Sequence, residues 1–172
     1  MEASGLLETA IAEIRRLAHG IYPPLLVSGG LAQAIPAVAA RAPVPVRVNL
    51  QGLRRYPASI EAALYFCCTE ALQNAIKHGG PGTTITITAH ADDPTLTLTI
   101  SDTGRGFDPA ATATGLTNMT DRLSAIGGHL VIHTAPGHGT RVTASIASRL
   151  QPGCSEPPGK GRPRLGQTRH RR

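Results

Sequence analysis

Alternation of apolar and polar residues predicts five β-strands in this chain. Valine or leucine occupies every second position over 44–51, which is typical of a strand with one covered face. The stretches 83–90 and 95–101 alternate isoleucine or leucine with threonine and form a hairpin. The stretches 129–134 and 140–147 form a second hairpin around the turn APGHG. One face of the resulting sheet is therefore expected to be covered and the other to face water.

Apolar residues spaced three and four positions apart predict helices before and between these strands. The first helix, over 3–20, has a broad apolar face that needs a partner, either this domain or a second copy of the chain. Pro23 and Pro24 end it, because neither can continue a helix. An alanine-rich stretch over 31–41 is predicted to be helical, with an early interruption at Pro36.

A longer helix begins at Pro57, which suits a first helical position, and ends at Gly79 and Gly80. A glycine-containing loop over 103–117 precedes a short helix over 118–126, and a loop of this length is typical of a lid. Helices and strands in this order predict an α/β two-layer sandwich, with a mostly antiparallel sheet covered by helices on one face.

Composition fits one domain with appendages. The 172 residues include 41% hydrophobic but only 3% aromatic residues, so Leu, Ile, Val and Ala must build the core. No apolar run reaches the roughly 18–20 residues of a membrane span. The N-terminus also lacks a basic-then-apolar signal pattern. We therefore expect a soluble, cytoplasmic chain.

The net charge of +6 comes from the end of the chain. Residues 149–172 hold seven basic residues and one acidic residue, whereas the remainder holds ten of each. The tail is rich in proline and glycine, and a solvated disordered end is favoured over a specific nucleic-acid or lipid site. Cys67, Cys68 and Cys154 form no CxxC motif, and the adjacent pair is predicted to be small buried hydrophobes.

Three polar residues stand in line on the long helix. Glu70, Asn74 and Lys77 are spaced i, i+4 and i+7 and share one stripe, while apolar residues occupy another face. Asp102 follows the strand 95–101 in the same parity as its apolar side chains, so it points toward the covered side. A carboxylate there needs a hydrogen-bond donor.

Gly104 and Gly106 follow Asp102 at once and allow the backbone to approach a ligand closely. A helix with carboxylate, amide and amine groups, facing a buried Asp and a glycine loop, suits a nucleotide. The Asp would accept from an exocyclic amine, the helix oxygens would hold hydrated Mg²⁺, and the Lys would meet phosphate.

Four motifs in this order resemble the boxes of the Bergerat-type (GHKL) ATP-binding fold. They are EALQNAIKH at 70–78, DTGRGF at 102–107, GLTNM at 115–119 and GT at 139–140. Sensor histidine kinases, type II topoisomerases, a mismatch-repair ATPase and a heat-shock chaperone share this fold. The resemblance covers about residues 44–148.

Flanking sequence narrows the resemblance further. EIRRLAHGIYPPLL at 13–26 and the compact GLTNMTDRLSAIGG are similar to sensor histidine kinases of the nitrate/nitrite-sensor and membrane-thermosensor subfamily. The resemblance implies that 1–26 ends a dimerisation and phosphoacceptor helical hairpin, 27–148 is the ATP-binding catalytic domain and 149–172 is the disordered tail. It also implies a homodimer through the N-terminal helix, a response regulator as partner and a membrane-bound parent protein.

The resemblance assigns a role to each matching position. Asp102 would accept a hydrogen bond from the adenine amino group, and Thr140 would assist it through water. Asn74 would ligate Mg²⁺, with Glu70 beside the metal and the γ-phosphate as a polarising group or base. Lys77 or His78 would meet phosphate oxygens. The lid would be shaped by Gly104, Gly106 and Gly115. Leu116 and Asn118 would lie near the triphosphate.

One feature departs from the family pattern. In the family, the phosphoacceptor histidine is followed directly by an acidic residue. In this chain, no histidine is followed by Asp or Glu. The histidines are at positions 19, 78, 90, 129, 133, 138 and 170. We therefore expect a chain that binds Mg-ATP but does not phosphorylate itself on such a histidine, as a fragment or truncation would.

Structural interpretations stay open beside these roles. The polar stripe on the long helix would otherwise be a solvated face, and Asp102 a turn-former before glycine. His78 would cap its helix, and Thr140 would be an ordinary β-branched strand residue. Arg105 and Arg122 are surface charges or approach phosphate when the lid closes.

Three functions follow. The main hypothesis is a histidine-kinase catalytic domain that transfers the γ-phosphoryl group of ATP to a histidine on another segment or chain, for relay to a response regulator. An anti-sigma-type serine kinase or an ATPase of the same fold is the alternative among enzymes. A non-catalytic dimerisation module that keeps its nucleotide pocket as a relic is the third.

Overall fold

The computed structural model describes residues 23–107 and 114–147. The predicted helix over 3–20, part of the predicted lid and the basic tail therefore lie outside the described residues. Eight elements follow one another: α1 (Pro24–Ala39), β1 (Val46–Gln51), α2 (Ala58–His78), β2 (Ile85–Asp92), β3 (Thr95–Asp102), α3 (Thr114–Ser124), β4 (His129–Thr134) and β5 (Thr140–Ala147).

The five strands form one mixed sheet in the order β1-β2-β3-β5-β4. β1 pairs with β2 in parallel, and the other three pairs are antiparallel. Both predicted hairpins are present, and the predicted α/β sandwich with a mostly antiparallel sheet is confirmed. This order places the C-terminal end of β3 beside the N-terminal end of β5, near the centre of the sheet.

Period-two alternation determines which face of the sheet is covered. Leu96, Leu98 and Ile100 of β3 are buried, as are Val142 and Ala144 of β5. The threonines between them are less buried, as expected for a face without a helical layer. The central helix α2 packs its buried side against this sheet and is flanked by α1 and α3. As predicted, the core is built almost wholly from aliphatic residues.

An ion pair beneath α1 was not predicted from the sequence. The Arg55 Nε atom lies 3.1 Å from Oε1 of Glu61, a side chain only 2% exposed. The backbone N–H of Tyr56 donates to the same carboxylate at 3.1 Å. Arg55 also donates to the carbonyl oxygens of Val27 and Ser28 at 3.1 and 3.3 Å. The pair therefore links α1 to the start of α2.

The interruption in α1 lies at Gly30, not at Pro36 as predicted. Gly30 adopts φ 61°, a conformation that residues with a Cβ rarely adopt. A Cβ there would also lie 2.6 Å from Oε1 of Glu61. The helix continues through Pro36, whose carbonyl accepts the N–H of Ala40 at 2.9 Å. Gly30 thus separates two helical segments: the one after it begins at 31 as predicted, whereas the segment 24–29 was not predicted and crosses the predicted domain boundary at 26.

Other boundaries move by a few residues. The long helix begins at Ala58, with Pro57 as its N-cap, and ends at His78 before Gly79 as predicted. α3 begins at Thr114, inside the stretch predicted as loop, because glycine and threonine residues there conceal the helical periodicity. Within the two described stretches, no helix is long and apolar enough to cross a membrane.

Candidate functional site

A cavity of about 370 Å³ opens between α2, the ends of β3 and β5, and α3. All four motifs singled out in the sequence contribute residues to its lining. The predicted site residues on its lining are Asn74, His78, Asp102, Gly106, Leu116 and Thr140.

Apolar side chains form most of the cavity wall. Ala71 and Ala75 contribute from α2, Ile100 and Val142 from the sheet, and Leu116 from α3. Small alanines on the helix leave a gap between helix and sheet that larger residues would fill. A space with apolar walls and a polar end suits a flat heteroaromatic ring whose edge carries hydrogen-bonding groups.

Asp102 supplies the polar end. Its Oδ1 atom accepts the backbone N–H of Gly104 at 2.8 Å, so the interpretation as a turn-former is correct. The side chain also lines the cavity, as its parity in β3 predicts. Among the described residues, no hydrogen bond to the second oxygen, Oδ2, is recorded. The carboxylate therefore fixes the loop with one oxygen and offers the other to a ligand donor.

The glycine loop after Asp102 is held against the end of α2. A Cβ at Gly104 would lie 2.5 Å from the Cα atom of Gly79, so any larger residue would push the loop away. The Arg105 N–H donates to the Gly79 carbonyl at 3.0 Å, and the Arg105 carbonyl accepts the Gly137 N–H at 2.6 Å. The loop is thereby fixed between the helix and the β4–β5 turn.

Gly106 is the second glycine that the loop requires. Its φ of 61° favours glycine, and a Cβ would overlap the carbonyl oxygen of Ala135. Arg105, between the two glycines, lines the cavity and extends its side chain over Gly80. Arg105 is an exposed cation at the cavity mouth. This position is compatible with both interpretations from the sequence, a surface charge or a phosphate contact.

Glu70 and Asn74 meet α3 at Gly115. A Cβ on Gly115 would lie 3.6 Å from Oε2 of Glu70 and 3.8 Å from Nδ2 of Asn74. The i, i+4 spacing thus brings a carboxylate and an amide to the first turn of α3. The carboxylate oxygens of Glu70 and the amide oxygen of Asn74 are ligands of the type that Mg²⁺ accepts. Asn74 reaches the cavity, whereas Glu70 lies beside it rather than on its lining.

The structure does not bring every predicted residue to the cavity. Lys77 is exposed and is not on the lining, although the adjacent His78 is. Asn118 is exposed on α3 and is not on the lining. Gly104 and Gly115 are not on the lining either; Gly104 permits close backbone approach to Gly79, and Gly115 faces Glu70 and Asn74.

Thr134 is a site residue that the sequence analysis missed. Its hydroxyl accepts the backbone N–H of Phe107 at 3.0 Å and lies 3.1 Å from the carbonyl oxygen of Gly139. It also lies 3.3 Å from the hydroxyl of Thr140. It therefore joins the end of the glycine loop to the strand that carries Thr140. Its importance depends on cross-strand pairing, which a single-strand pattern does not reveal.

The adjacent cysteines lie within α2 and are buried, as predicted. Burial raises the pKa of the Cys67 thiol to about 12, although the nearby Arg122 opposes the change and Glu70 adds to it. Burial also raises the pKa of Cys68 to about 12. Both thiols are therefore protonated at neutral pH and act as apolar packing groups.

Comparison with known proteins gives a consistent family. Residues 59–150 match the family described as histidine kinase-, DNA gyrase B-, and HSP90-like ATPase. The chain is 32% identical over 151 residues to the sensor histidine kinase MctS of Rhizobium johnstonii, covering 81% of this chain and 32% of that protein. It is 33% identical over 144 residues to the signal transduction histidine-protein kinase/phosphatase UhpB of Salmonella typhimurium, covering 79% and 28%.

A solved structure shares the fold. Full-length ShkA in complex with AMPPNP superposes with a TM-score of 0.57 at 22% identity, covering 71% of this chain and 30% of that chain. The chain thus spans about a third or less of the length of these relatives. The resemblance to sensor histidine kinases is confirmed, and the match over more than half of its residues shows that the chain belongs to the histidine kinase-, DNA gyrase B- and HSP90-like ATPase family.

Proposed function

We propose that this chain is the ATP-binding catalytic domain of a sensor histidine kinase, which transfers the γ-phosphoryl group of Mg-ATP to a histidine on a separate segment or chain. The observation that carries the proposal is the apolar cavity that ends at Asp102 and Thr140 and opens toward Asn74 and α3. A purine fits the closed end, and a polyphosphate fits the open one.

At the closed end, Asp102 would recognise adenine. The Oδ2 atom, to which no described residue donates, would accept from the 6-amino group, while Oδ1 stays occupied by Gly104. Thr140 lies directly opposite Asp102 in the β3–β5 pairing and assists through a bound water. Because the walls are apolar, the ring is desolvated on both faces, and this strengthens the hydrogen bond at its edge.

At the open end, Asn74 and Glu70 would hold Mg²⁺ together with phosphate oxygens. In the part of the chain that the structure describes, no cluster of three His, Cys, Asp or Glu side chains is placed to bind a metal without a ligand. This fits Mg²⁺, which usually keeps waters and binds through one or two side chains plus substrate phosphates. The metal would neutralise charge on the phosphates.

Cationic and lid residues would complete the phosphate site. Lys77 and His78 stand at the end of α2; His78 already lines the cavity, and Lys77 would reach the phosphates from its exposed position beside it. Gly104 and Gly106 would hold the first part of the lid, and Gly115 would lie in its second part, facing Glu70 and Asn74. Leu116 would then cover the nucleotide, and Asn118 would reach the triphosphate when the lid closes.

Positioning and electrostatics would carry the reaction. Phosphoryl transfer asks little covalent chemistry of the protein, so holding the γ-phosphate in line with the acceptor is the main task. Glu70 would orient or deprotonate the attacking imidazole. The acceptor would come from a helical hairpin that residues 1–26 complete, and a response regulator would receive the phosphoryl group.

The names of the relatives support this assignment. MctS and UhpB are named as histidine kinases, and ShkA was solved with the ATP analogue AMPPNP. By the same likeness we propose that 27–148 forms the catalytic domain and 149–172 a basic tail. A homodimer through the helix predicted at 3–20, a cytoplasmic location for this domain and a membrane-bound parent protein complete the proposal.

The test combines binding with the chemistry of the phosphorylated product. Calorimetric titration of the whole chain with Mg-ATP is expected to give micromolar to submillimolar affinity. With γ-labelled ATP and a separately produced phosphoacceptor hairpin from a sensor histidine kinase, we expect acid-labile, base-stable label on the hairpin. Glu70→Gln keeps an oxygen for the metal but removes the base, so it should retain most of the ATP binding and lose most of the transfer.

Other products would identify the alternatives. Acid-stable label on a protein hydroxyl would indicate a serine kinase, and steady release of inorganic phosphate without an acceptor would indicate an ATPase. Absence of ATP binding, with a dimer that depends on residues 3–20, would favour the non-catalytic module.

A further inference from the structure

Three paired residues form a polar row across the cavity end of the sheet. Asp102 of β3 is opposite Thr140 of β5, and Thr140 is opposite Thr134 of β4. Asp102 and Thr140 line the cavity, whereas Thr134 stands one strand further from it. A residue in the third position can influence a ligand only through its neighbours.

The Thr134 hydroxyl has four polar neighbours but only one proton. Phe107 presents its N–H at 3.0 Å and its carbonyl at 3.4 Å, and Gly139 presents its carbonyl at 3.1 Å. The fourth neighbour is the Thr140 hydroxyl at 3.3 Å. The Phe107 N–H must donate, and the two carbonyls can only accept.

These constraints decide the direction of the threonine pair. The nearest acceptor to the Thr134 hydroxyl is the Gly139 carbonyl oxygen at 3.1 Å, closer than the Phe107 carbonyl or the Thr140 hydroxyl, so the Thr134 proton is assigned to it. The contact between the hydroxyls is then a hydrogen bond only if Thr140 donates. With its single proton directed at Thr134, Thr140 presents lone pairs to the cavity.

We propose that Thr134 is a specificity-determining residue, which fixes the Thr140 hydroxyl as an acceptor so that the cavity selects a purine with an amino group at ring position 6. The inference rests on the proposed ATP site and deepens it. Asp102 and Thr140 together present only acceptors at this end. An amino group is matched there, directly or through water, whereas a carbonyl oxygen meets lone pairs and is rejected.

The same hydroxyl couples recognition to the glycine loop. Phe107 lies at the end of the described part of the loop, and its N–H is held by Thr134. Losing this bond loosens the loop for every nucleotide alike and weakens their binding together. Losing the orientation of Thr140 instead changes the ratio between nucleotides. The ratio therefore separates the proposed role from a purely structural one.

The probes are ATP and ITP, because ITP carries a carbonyl at the ring position where ATP carries the amino group. Calorimetric dissociation constants of the whole chain are compared for the wild type, Thr134→Val and Thr134→Ser. Valine has the shape of threonine without the hydroxyl. We expect the preference for ATP over ITP to fall about three- to tenfold in Thr134→Val, the size of one hydrogen bond, and to persist in Thr134→Ser.

Thr140→Val provides the matched background. If Thr134 acts through Thr140, the Thr134→Val change should leave the ATP-to-ITP ratio of the Thr140→Val chain unaltered. Thr134→Ala, which also lacks the hydroxyl but adds no buried methyl group in its place, serves if the valine variant does not fold. Thermal unfolding reports folding in each case.

The outcomes separate the two proposals. An unchanged ratio in Thr134→Val, with selective ATP binding by the wild type, overturns the specificity role and leaves the proposed function standing. An equal loss of selectivity in the Thr140→Val background also overturns it, because Thr134 would then act by another route. A wild type that binds neither nucleotide, or both equally, overturns the adenine site itself and the inference with it.

Discussion

The Asp102 carboxylate and the Gly104 backbone N–H form a 2.8 Å hydrogen bond that fixes the loop beside the cavity. The same side chain lines the cavity, so one carboxylate serves both the fold and the proposed adenine site. These two roles use different oxygens and can be separated by substitution, because an amide keeps an acceptor for Gly104 but not two equivalent oxygens.

We expect the Asp102→Asn variant to retain the fold and to lose ATP affinity. The amide oxygen can accept the Gly104 N–H, so the free energy of unfolding should change by less than about 1 kcal/mol. The amide NH₂ then faces the adenine amino group, and ATP affinity should fall by at least about tenfold, as for loss of a hydrogen bond to a charged group. Calorimetry and chemical denaturation measure the two quantities.

Asp102→Ala is the control for this separation. It removes both acceptors, so it should lose ATP binding and also about 1–2 kcal/mol of stability through the unpaired Gly104 N–H. Equal stability of the alanine and asparagine variants would show that the loop does not depend on this bond.

Gly104→Ala should disturb the loop for steric reasons. The added Cβ would lie 2.5 Å from the Gly79 Cα atom and 2.9 Å from its carbonyl oxygen, both backbone atoms that cannot rotate away. We expect about 1–3 kcal/mol of destabilisation, typical of overpacking, together with weakened ATP binding. Chemical denaturation of the variant and the wild type measures the loss of stability, and calorimetry measures ATP affinity.

Gly82→Ala is the matched control. Gly82 has φ 77° but no atom within 4 Å of an added Cβ, so alanine there is strained without a clash. It should cost about 1–2 kcal/mol and leave ATP affinity unchanged. If both variants weakened ATP binding equally, the loss of affinity would result from lower stability and not from displacement of the glycine loop.

Strand and helix patterns located much of the candidate site before the structure did. The parity of Asp102 in its strand indicated the cavity, because side chains two apart in a strand share a face. The i, i+4 spacing of Glu70 and Asn74 brought them to one position, now seen to be opposite Gly115. Both predictions needed only the geometry of a single element.

Contacts between elements were not accessible in this way. Thr134 acquires its four neighbours from register between strands, and Arg55 finds Glu61 and the carbonyls of α1 only after α1 and α2 pack. The helical segment 24–29 was missed because it is short and includes Pro24 and Gly29, and it is separated from the predicted helix by the non-helical Gly30. Contacts of this kind form only when the elements pack, so the pattern within one element does not predict them.

The Arg55–Glu61 pair should be important for stability and not for the chemistry. Glu61 is 2% exposed and accepts from both Arg55 and the Tyr56 N–H. Glu61→Ala leaves the Tyr56 N–H and the guanidinium without this acceptor, so we expect a loss of about 2–4 kcal/mol in the free energy of unfolding. ATP affinity of the folded variant should stay unchanged.

Arg54→Ala provides the comparison for that experiment. Arg54 neighbours the pair in sequence but is exposed, and substitution there should change stability by less than about 0.5 kcal/mol. Similar losses for Arg54→Ala and Glu61→Ala would contradict a specific role for the buried carboxylate. Urea denaturation of the three chains measures the difference.

The buried thiols predict an alkaline loss of stability. Both Cys67 and Cys68 have pKa values raised from 9.0 to about 12 by burial. Between pH 9 and pH 12 the unfolded chain loses these protons while the folded chain keeps them. Stability must therefore fall as pH rises, by about 1.4 kcal/mol per pH unit for each thiol.

A Cys154→Ser background isolates the pair for this measurement. In that chain, a thiol reagent at pH 8 should react with neither cysteine before denaturation and with both afterwards. Adding Cys67→Ala and Cys68→Ala removes the thiols and should flatten the fall in stability above pH 9, even though the cavities created lower its absolute value. Rapid labelling of the native chain at pH 8, or an equally steep pH dependence without the thiols, would contradict the burial of the pair.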